Sequence, residues 1–522
     1  MKPQGLLHLL FALSTFISFS QIPQIDVAHY KIEIDLSDES DQIKVDQEIK
    51  FVHIDSNQPI VFNLASQDDS EKGMHIDALK LNGKTPVFRH ENDSIYIDSD
   101  IQKPKTQTLK ISFSGVPKDG LIIGKNKYKS RTFFGDNWPT RAQNWFACND
   151  HLSDKATVEY LVHAPKHYEV VANGKLLSVK KKKNIKTHHY SSNIPLPTKV
   201  MVIGVADLLY EELGMIEGTP VRSCAYPKNH KDAFYDLSLA PSILQFYINY
   251  ISPYEYEKLD NVQSTTRFGG MENAGCIFYD EDALSGKQSS ENLIAHEIVH
   301  QWFGNSATEK DWCHIWLSEG FATYLTNIYI EQTKGQEAFH DQLKQDRNRI
   351  ISFEKRYKAP VVDTTYSSLM DLLNPNSYQK GGWILHMLRN EIGDESFHQT
   401  IRSYYKKYRL SNADTRDFQL IAEEVSGADL QWFFDQWLYK KGHPKLNIET
   451  EIHETVLTIS VSQLDDLFKV KLPIKVHFKD GTNKLESLYI NNHQTRFKMK
   501  YNAIIESIEI DPDVQVLYEA VR

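Results

Sequence analysis

The chain contains 522 residues, of which 41% are hydrophobic and 25% are charged. This composition is typical of globular proteins and excludes a largely disordered chain, a collagen-like chain and a polytopic membrane protein. The 69 acidic residues outnumber the 59 basic ones, so the formal net charge is −10 and general binding to nucleic acid is disfavoured. At roughly 150 residues per domain, the length predicts about three domains.

The N-terminus has the pattern of a signal peptide over residues 1–20. Lys2 supplies a positive charge, residues 6–19 are mostly apolar, and the small residues Ser18 and Ser20 precede the predicted cleavage site. The apolar run is shorter than the roughly 20 residues of a membrane-spanning helix, and no later stretch reaches that length. We therefore expect an exported protein, periplasmic or extracellular, with no stable membrane insertion.

Residues 21–212 are predicted to form an N-terminal β-domain. Apolar and polar side chains alternate over residues 31–36, which is typical of a half-buried strand, and similar runs recur further along. Asn-Gly dipeptides at 82–83 and 173–174 are typical of hairpin turns. The four lysines at 180–183 are interpreted as a solvated hairpin tip rather than a polyanion-binding site.

Residues 213–442 are predicted to be mostly helical. We expect a helix over residues 230–251, with a kink at Pro241, and a strand over residues 260–268. The last predicted helix, 430–439, is followed by a basic turn, a glycine and a proline, which together mark a domain boundary.

Residues 443–522 return to a period of two, with Leu472, Ile474 and Val476 on one side of a strand, and predict a small β-sandwich. The predicted fold class is therefore multidomain α+β. Four cysteines occur, none in a Cys-x-x-Cys pair, so the sequence leaves free thiols and one or two disulfides equally open.

The strongest chemical signal is the pentapeptide His296-Glu297-Ile298-Val299-His300. It lies within residues 290–303, a predicted helix ended by Gly304. The two imidazoles are four positions apart, so they project from one face and can bind one metal ion. Imidazole nitrogens suit zinc, and Glu297 is a candidate general base.

Glu319 is the candidate third ligand. It follows His300 after 18 intervening residues, near the start of a second predicted helix for which Ser318 is the expected cap. If this helix returns antiparallel to the first, the carboxylate reaches the same ion. Two histidines and one glutamate leave a zinc position open, which is typical of catalytic rather than structural sites. We therefore predict one zinc ion per chain.

Two further segments carry groups suited to substrate binding and catalysis. Gly269-Gly270-Met271-Glu272-Asn273 follows the predicted strand, and its glycines allow the backbone to approach a ligand closely. Tyr378 lies in Tyr378-Gln379-Lys380-Gly381-Gly382, and a phenol can donate a hydrogen bond to a developing oxyanion. Taken alone, each segment also fits an ordinary turn or a packed aromatic residue.

Together these segments resemble the aminopeptidase N family of zinc metallopeptidases, which includes the leukotriene-epoxide hydrolases. His296, His300 and Glu319 resemble its zinc signature, residues 269–273 its exopeptidase motif, and residues 378–381 its catalytic tyrosine motif. Residues 148–156 also resemble the end of its N-terminal recognition region. The resemblance implies an N-terminal β-domain followed by a thermolysin-like catalytic domain.

The resemblance also implies a role for each residue of the motifs. His296, His300 and Glu319 would bind zinc, Glu297 would activate water and pass its proton to the leaving amine, and Tyr378 would stabilise the tetrahedral oxyanion. The residues implied in substrate binding are Gly269, Gly270, Met271, Glu272 and Asn273. Among them, Glu272 would hold the free α-ammonium group of the substrate.

The sequence departs from the family at two places. Many members have a Gln or Glu where this chain has Gly135-Asp136-Asn137-Trp138-Pro139, so Asp136 becomes the candidate for a second amine contact. We also expect no counterpart here of the large C-terminal helical domain of longer members. The segment that contains His314 resembles the epoxide-hydrolase branch of the family. Because it is a lone histidine, we expect it to pack against its neighbours and not to bind the metal.

These observations favour an exported zinc aminopeptidase acting on peptides with a free N-terminus. A thermolysin-like endopeptidase could share the metal ligands but would have no use for Glu272. An inactive scaffold that binds a peptide or protein through its β-domains would not need the catalytic residues. The sequence leaves the oligomeric state, the preferred first residue and any disulfide pairing open.

Overall fold

The computed structural model describes residues 25–54, 58–98 and 106–521. The predicted signal peptide lies outside these residues. The N-terminal part of the described chain is rich in β-structure. Its strands are β1 (Ile25–Asp35), β2 (Ile43–His53), β3 (Ile60–Asn63), β4 (Gly73–Leu81), β5 (Phe88–Glu91), β6 (Ser94–Ile97), β7 (Thr106–Val116), β8 (Leu121–Lys125), β9 (Arg131–Gly135), β10 (Lys155–Pro165), β11 (Glu169–Ala172), β12 (Lys175–Lys182), β13 (Ile185–Pro197) and β14 (Ile203–Ala206).

The largest sheet of this part has the order β12-β13-β10-β1-β2-β7-β4, with β1 parallel to β10 and antiparallel to β2. Alternation along β1 places Ile32 and Ile34 in the core while the residues between them are more exposed, as the period of two predicts. Strands β12 and β13 form a hairpin whose turn includes Lys183, so the lysine run lies at a hairpin tip as predicted.

The middle part of the chain is mostly helical and contains one mixed sheet and a short strand pair. Its strands are β15 (Leu209–Ile216), β16 (Thr219–Ala225), β17 (Leu259–Ser264), β18 (Gly270–Met271), β19 (Cys276–Asp280), β20 (Ala307–Glu309) and β21 (Ser411–Ala413). Its helices are α1 (His230–Leu237), α2 (Ala240–Tyr250), α3 (Glu291–Val299), α4 (Trp316–Lys334), α5 (Gln336–Glu354), α6 (Gly381–Ile392), α7 (Asp394–Tyr408), α8 (Thr415–Ser426) and α9 (Gln431–Phe434).

Several predicted boundaries shift in the structure. The helix expected over residues 230–251 is two helices, and Pro241 lies in the first turn of α2, where its missing N–H removes no helical hydrogen bond. The last predicted helix is a short α9 continued by π-helical residues 435–439. Strand β15 spans the boundary predicted at residue 212 and belongs to the middle part, because it pairs with β16.

The mixed sheet positions one of the sequence motifs. Its order is β15-β16-β17-β19-β18, with β16, β17 and β19 parallel. Within the described chain β18 is the edge strand and pairs antiparallel with β19. The glycine-containing motif at residues 269–273 therefore lies at the edge of a sheet, beside α3.

The C-terminal part consists of two small sheets, in agreement with the predicted return to β-structure. Its strands are β22 (Lys445–His453), β23 (Val456–Gln463), β24 (Val470–Phe478), β25 (Asn483–Ile490), β26 (Gln494–Lys500), β27 (Ile505–Ile510) and β28 (Glu519–Val521). They share a continuous apolar core with the helices, and Trp437 contacts Phe468 with ring centroids 5.5 Å apart.

The four cysteines are free and buried, so the structure favours packed thiols over disulfides. None of the described helices combines the length and the apolar composition that crossing a membrane requires.

Candidate active site

Helices α3 and α4 bring the three predicted metal ligands together. The Nε2 atoms of His296 and His300 are 3.1 Å apart. The Oε2 atom of Glu319 lies 3.4 Å from the Nε2 atom of His296 and 3.3 Å from that of His300. The one-turn spacing of the histidines and the return of α4 place these atoms at one point, where all three ligand atoms lie within 4.8 Å of one another.

Hydrogen bonding of His300 prepares its Nε2 atom for a metal ion. The Nδ1 atom lies 3.0 Å from the carbonyl oxygen of Phe303, and because a carbonyl can only accept, Nδ1 carries the proton. In the neutral ring Nε2 then has the free lone pair, which is how ligand histidines are commonly oriented. Ser318 Oγ lies 3.2 Å from the same Nδ1 atom. Ser318 is therefore not the predicted helix cap: α4 begins two residues before it, at Trp316.

The pocket around these ligands concentrates negative charge. The side chains of Glu272, Glu297 and Glu319 are all buried, with exposures of 6%, 5% and 4%. Burial raises the pKa of Glu297 well above its usual range, and the carboxylates of Glu272 and Glu319 act in the same direction. Burial opposes protonation of His300, but the carboxylate of Glu319 outweighs it and raises the pKa of His300 to about 10. Both pKa shifts arise from buried carboxylates that need a compensating positive charge, and a divalent cation held by the imidazoles and Glu319 would supply it.

The chemistry of the three ligands also indicates which metal suits the site. Two imidazoles and one carboxylate suit zinc and leave a coordination position open for chemistry. In addition, Glu319 Oε2 is buried and accepts no hydrogen bond from any described residue. An orphaned carboxylate oxygen between two imidazole nitrogens is the arrangement expected of a metal ligand.

Gly270 explains why the motif at the edge of the mixed sheet requires a glycine. A Cβ atom at this position would collide with the carboxyl group of Glu297. Any side chain there would displace the candidate base, whereas Gly269 has ordinary clearance, 3.8 Å from Leu293. The glycine of β18 therefore makes room for Glu297 as well as for close approach of a ligand.

Glu272 is held by its backbone, while its side chain is left without a partner. Its carbonyl oxygen accepts hydrogen bonds from Gln301 Nε2 at 2.8 Å and Asn305 Nδ2 at 2.6 Å. Its side chain lines the pocket, and Oε1 accepts no hydrogen bond from a described residue. Burial raises its pKa, and the carboxylate of Glu319 adds to the shift. This carboxylate is thus suited to receive a cationic group that enters the pocket.

Tyr378 lines the same pocket from a π-helical turn, Asn376–Lys380. Its ring is stacked on that of His296, with centroids 6.1 Å apart and planes 13° apart. Two glycines permit this approach, because a Cβ atom on Gly320 would lie 2.9 Å from the backbone of Gly381, and the reverse contact would be 3.0 Å. Such contacts bring the turn that carries Tyr378 directly against α4.

A buried ion pair anchors the turn that carries Tyr378. Lys380 Nζ lies 2.7 Å from Glu354 Oε1 and donates to the carbonyl oxygen of Gly442 at 2.8 Å. The second oxygen of Glu354 is paired with Nδ1 of His443. Both Lys380 and Glu354 are almost completely buried, so water cannot replace either partner of this ion pair.

Comparison with known proteins shows to which protein family the chain belongs. Residues 27–200 match the Peptidase M1 N-terminal domain, and residues 235–437 match the Peptidase family M1 domain. The chain belongs to peptidase family M1. Both matched regions have the structure described above, a β-rich part followed by a helical part that contains the histidines and Glu319, so the resemblance seen in the sequence is confirmed.

Similar M1 proteins carry aminopeptidase names. The chain is 28% identical to aminopeptidase M1-C of Oryza sativa subsp. japonica over 72% of this chain and 45% of that protein. It is 26% identical to a leucyl aminopeptidase of Saccharolobus solfataricus over 79% of this chain and 55% of that protein. A probable aminopeptidase 1 of Sulfurisphaera tokodaii is 24% identical over 93% of this chain and 62% of its own length. The chain thus spans about half the length of these relatives.

Two residues predicted to bind substrate lie outside the M1 pocket. Asp136 is fully buried, pairs with Arg141, and accepts hydrogen bonds from the Thr266 hydroxyl and the Arg267 backbone N–H, both at 3.2 Å. Its oxygens are thus already satisfied, and it does not line the pocket. Trp138, from the same segment, does.

Asn273 is likewise buried behind the pocket rather than lining it. Of the predicted motif, Gly269, Gly270, Met271 and Glu272 do line it. His314 bonds to the Thr415 hydroxyl at 2.9 Å, consistent with the packing role favoured from the sequence.

The pocket is a cavity of about 400 Å³. The sequence alone does not predict its far wall. This wall is formed by one face of α4 and one face of α5. The α5 residues that line it are Gln342, Asp346 and Arg349. Their spacing of four and three positions is the signal of a common helical face, but nothing in the sequence indicates that this face is turned toward the histidines.

Proposed function

We propose that this M1 protein is a zinc-dependent aminopeptidase that removes N-terminal residues from peptides by hydrolysis. The observation that carries the proposal is Glu272. It is a buried carboxylate with an unpaired oxygen, in the same pocket as the candidate metal ligands and Glu297. Metal ligands and a base alone would serve cleavage anywhere along a peptide. A further carboxylate beside them suits recognition of a free, cationic N-terminus.

Each pocket residue has a distinct role in this reaction. His296, His300 and Glu319 would hold one zinc ion, which when bound polarises a carbonyl group and lowers the pKa of water. Glu297 takes a proton from the attacking water and delivers it to the leaving amine nitrogen. The phenol of Tyr378 donates a hydrogen bond to the oxygen that becomes negative in the transition state.

Substrate orientation follows from the two walls beside the catalytic residues. Glu272 binds the α-ammonium group by charge-assisted hydrogen bonds, which fixes the first peptide bond at the metal site. Strand β18 offers an edge along which the substrate backbone can lie. Water is displaced as the peptide enters, which strengthens these charged contacts.

The remaining expectations form part of the same proposal. Residues 1–20 would be a signal peptide, so the enzyme would act in the periplasm or outside the cell. Residues 21–212, 213–442 and 443–522 would correspond to the N-terminal β-domain, a thermolysin-like catalytic domain and a C-terminal β-sandwich. The continuity of α3, α4 and the mixed sheet around one pocket supports a single catalytic unit in the middle part.

A panel of aminoacyl p-nitroanilides, each paired with its N-acetyl derivative, tests this function. Acetylation removes the positive charge that Glu272 would bind and adds bulk beside that carboxylate, so we expect hydrolysis of the free-amine compounds only. An internally quenched peptide with a blocked N-terminus is included in the same assay. Efficient internal cleavage of that peptide would instead establish an endopeptidase.

A further inference from the structure

The wall of the pocket opposite β18 is a helical hairpin formed by α4 and α5. Only Gly335 separates the two helices, and Asn327 Nδ2 donates to Asp346 Oδ2 at 3.0 Å. In one continuous helix these residues would be about 28 Å apart, at 1.5 Å per residue, so the helices must fold back on each other. Positions further along α5 therefore lie closer to the metal-ligand end of α4.

Arg349 is a basic residue on a wall of this otherwise acidic pocket. It lines the pocket, its side chain is exposed, and among the described residues it makes no hydrogen bond or ion pair. Apart from the imidazoles of the candidate metal site, the other side chains of the pocket lining that can carry a charge near neutral pH are the carboxylates of Glu272, Glu297, Glu319 and Asp346. An unpaired guanidinium in an otherwise acidic pocket is thus free to bind an anion that the substrate supplies.

Asp346 does not account for the presence of Arg349. Its carboxylate oxygens accept hydrogen bonds from the amides of Asn327 and Gln342, each at 3.0 Å. The side chain is 2% exposed and is held without help from the arginine. The guanidinium acts on Asp346 only through its positive charge, which lowers the pKa of the carboxyl group and partly offsets the rise caused by burial.

The helical hairpin sets the offset along its axis between Arg349 and the catalytic end of the pocket. Asn327 lies eight residues after Glu319, about 12 Å along α4. Arg349 lies three residues beyond Asp346, which returns about 4.5 Å toward Glu319, so the net offset along the hairpin is about 7–8 Å. Two extended residues span about 7 Å. The first peptide carbonyl and the C-terminal carboxylate of a tripeptide are separated by a similar length, so the offset along the hairpin axis, which leaves out the about 8–10 Å between packed helices, is of the order of a short peptide.

We propose that Arg349 binds the C-terminal carboxylate of short peptides and gives the enzyme a preference for them over longer chains. The inference rests on the proposed aminopeptidase function and extends it to substrate length. Glu272 would receive the ammonium group at one end of the peptide and Arg349 the carboxylate at the other. A guanidinium is well suited to this role because its planar donors can bind both oxygens of a carboxylate.

The experiment compares each peptide acid with its C-terminal amide, which differs only in lacking the negative charge. The tripeptide X-Gly-Gly is used, with X the first residue that is cleaved best in the anilide panel. For the wild-type protein we expect kcat/KM for the acid to exceed that for the amide by about tenfold or more. This factor corresponds to the lower end of the net contribution of a hydrogen bond to a charged group. The acid-to-amide ratio should fall toward one as glycines are added, because the carboxylate then passes beyond Arg349.

The variants assign the ratio to one side chain. Arg349→Gln should bring the ratio for the tripeptide close to one, and Arg349→Lys should restore part of it, because lysine keeps the charge but not the planar donors. Arg356→Gln is the matched control: this exposed arginine lies just beyond the end of α5 and does not line the pocket, so its ratio should equal that of the wild type.

Two outcomes would overturn the inference: equal cleavage of acid and amide by the wild-type protein, or a ratio that survives Arg349→Gln. Failure of the underlying function is a separate result. Aminoacyl p-nitroanilides have no carboxylate, so a wild-type protein that does not hydrolyse them contradicts the aminopeptidase activity itself. A general loss of folding would lower both rates and leave their ratio unchanged.

Discussion

Replacing Glu272 with glutamine tests how the pocket recognises a free N-terminus. The change keeps the size of the side chain and removes its charge. The position of the residue should persist, because its backbone carbonyl is held by Gln301 and Asn305. The variant also removes one of three buried carboxylates that repel one another, so we expect no loss of thermal stability. The effect should therefore be confined to substrate binding.

The structure sets the size of the expected effect. Glu272 is 6% exposed and its Oε1 atom has no described partner, so a bound ammonium group would be well shielded from water. Hydrogen bonds to charged groups contribute about 1.5–3 kcal/mol net. At about 1.4 kcal/mol per factor of ten, Glu272→Gln should raise KM for free aminoacyl p-nitroanilides by about 10- to 150-fold.

The assay is steady-state hydrolysis with zinc content measured on the same preparation. Glu424→Gln serves as the control, because this glutamate is exposed on α8 and does not line the pocket. Its KM should equal that of the wild type. If Glu272→Gln retains both the wild-type KM and the discrimination against N-acetyl substrates while zinc remains bound, Glu272 is not the group that binds the substrate amine.

Three further substitutions separate chemistry from architecture. Glu297→Gln should bind zinc normally but lower kcat by about 10²–10⁴, the usual contribution of a positioned general base, and wild-type turnover would exclude it as the base. Tyr378→Phe should lower kcat by about 10²–10³ with little change in KM, because its hydrogen bond forms mainly in the transition state; an unchanged kcat would leave it a packing residue. Lys380→Met should lower the free energy of unfolding in urea by about 3–5 kcal/mol, because it leaves the buried Oε1 atom of Glu354 without its cation, while His443 pairs only with the other oxygen. Lys344→Met removes an exposed ion pair with Asp341 and should cost no more than about 1 kcal/mol; equal losses for the two lysines would contradict the buried network.

The candidate metal site could be predicted because its determinants are local. The spacing of His296 and His300 fixes a common helical face in any α-helix, and a second helix with Glu319 needs only to return antiparallel. Alternation in strands such as β1 similarly identifies a buried face. These patterns are properties of short segments, so they survive without knowledge of the tertiary structure.

Contacts between distant segments could not be predicted in the same way. The clearance that Gly270 provides for Glu297, and the approach of Gly320 to Gly381, depend on how separate elements pack. The pairing of Asp136 with Arg141 likewise follows from the folded environment. Each glycine was visible in the sequence, but its spatial neighbour was not.

The wall formed by α4 and α5 illustrates the same limit. The helical spacing of Gln342, Asp346 and Arg349 indicates a shared face, but only the folded hairpin turns that face toward the catalytic residues. Residues that line a pocket from such a wall lie on the faces that tertiary packing selects.

The measurement that tests the central claim most directly is hydrolysis of a free aminoacyl p-nitroanilide during removal and return of zinc. Dialysis against a chelator should abolish turnover, and titration with zinc should restore it, with saturation near one zinc ion per chain at the site of His296, His300 and Glu319. A protein shown by elemental analysis to be free of metal, yet hydrolysing the substrate at the full rate, would contradict a zinc aminopeptidase.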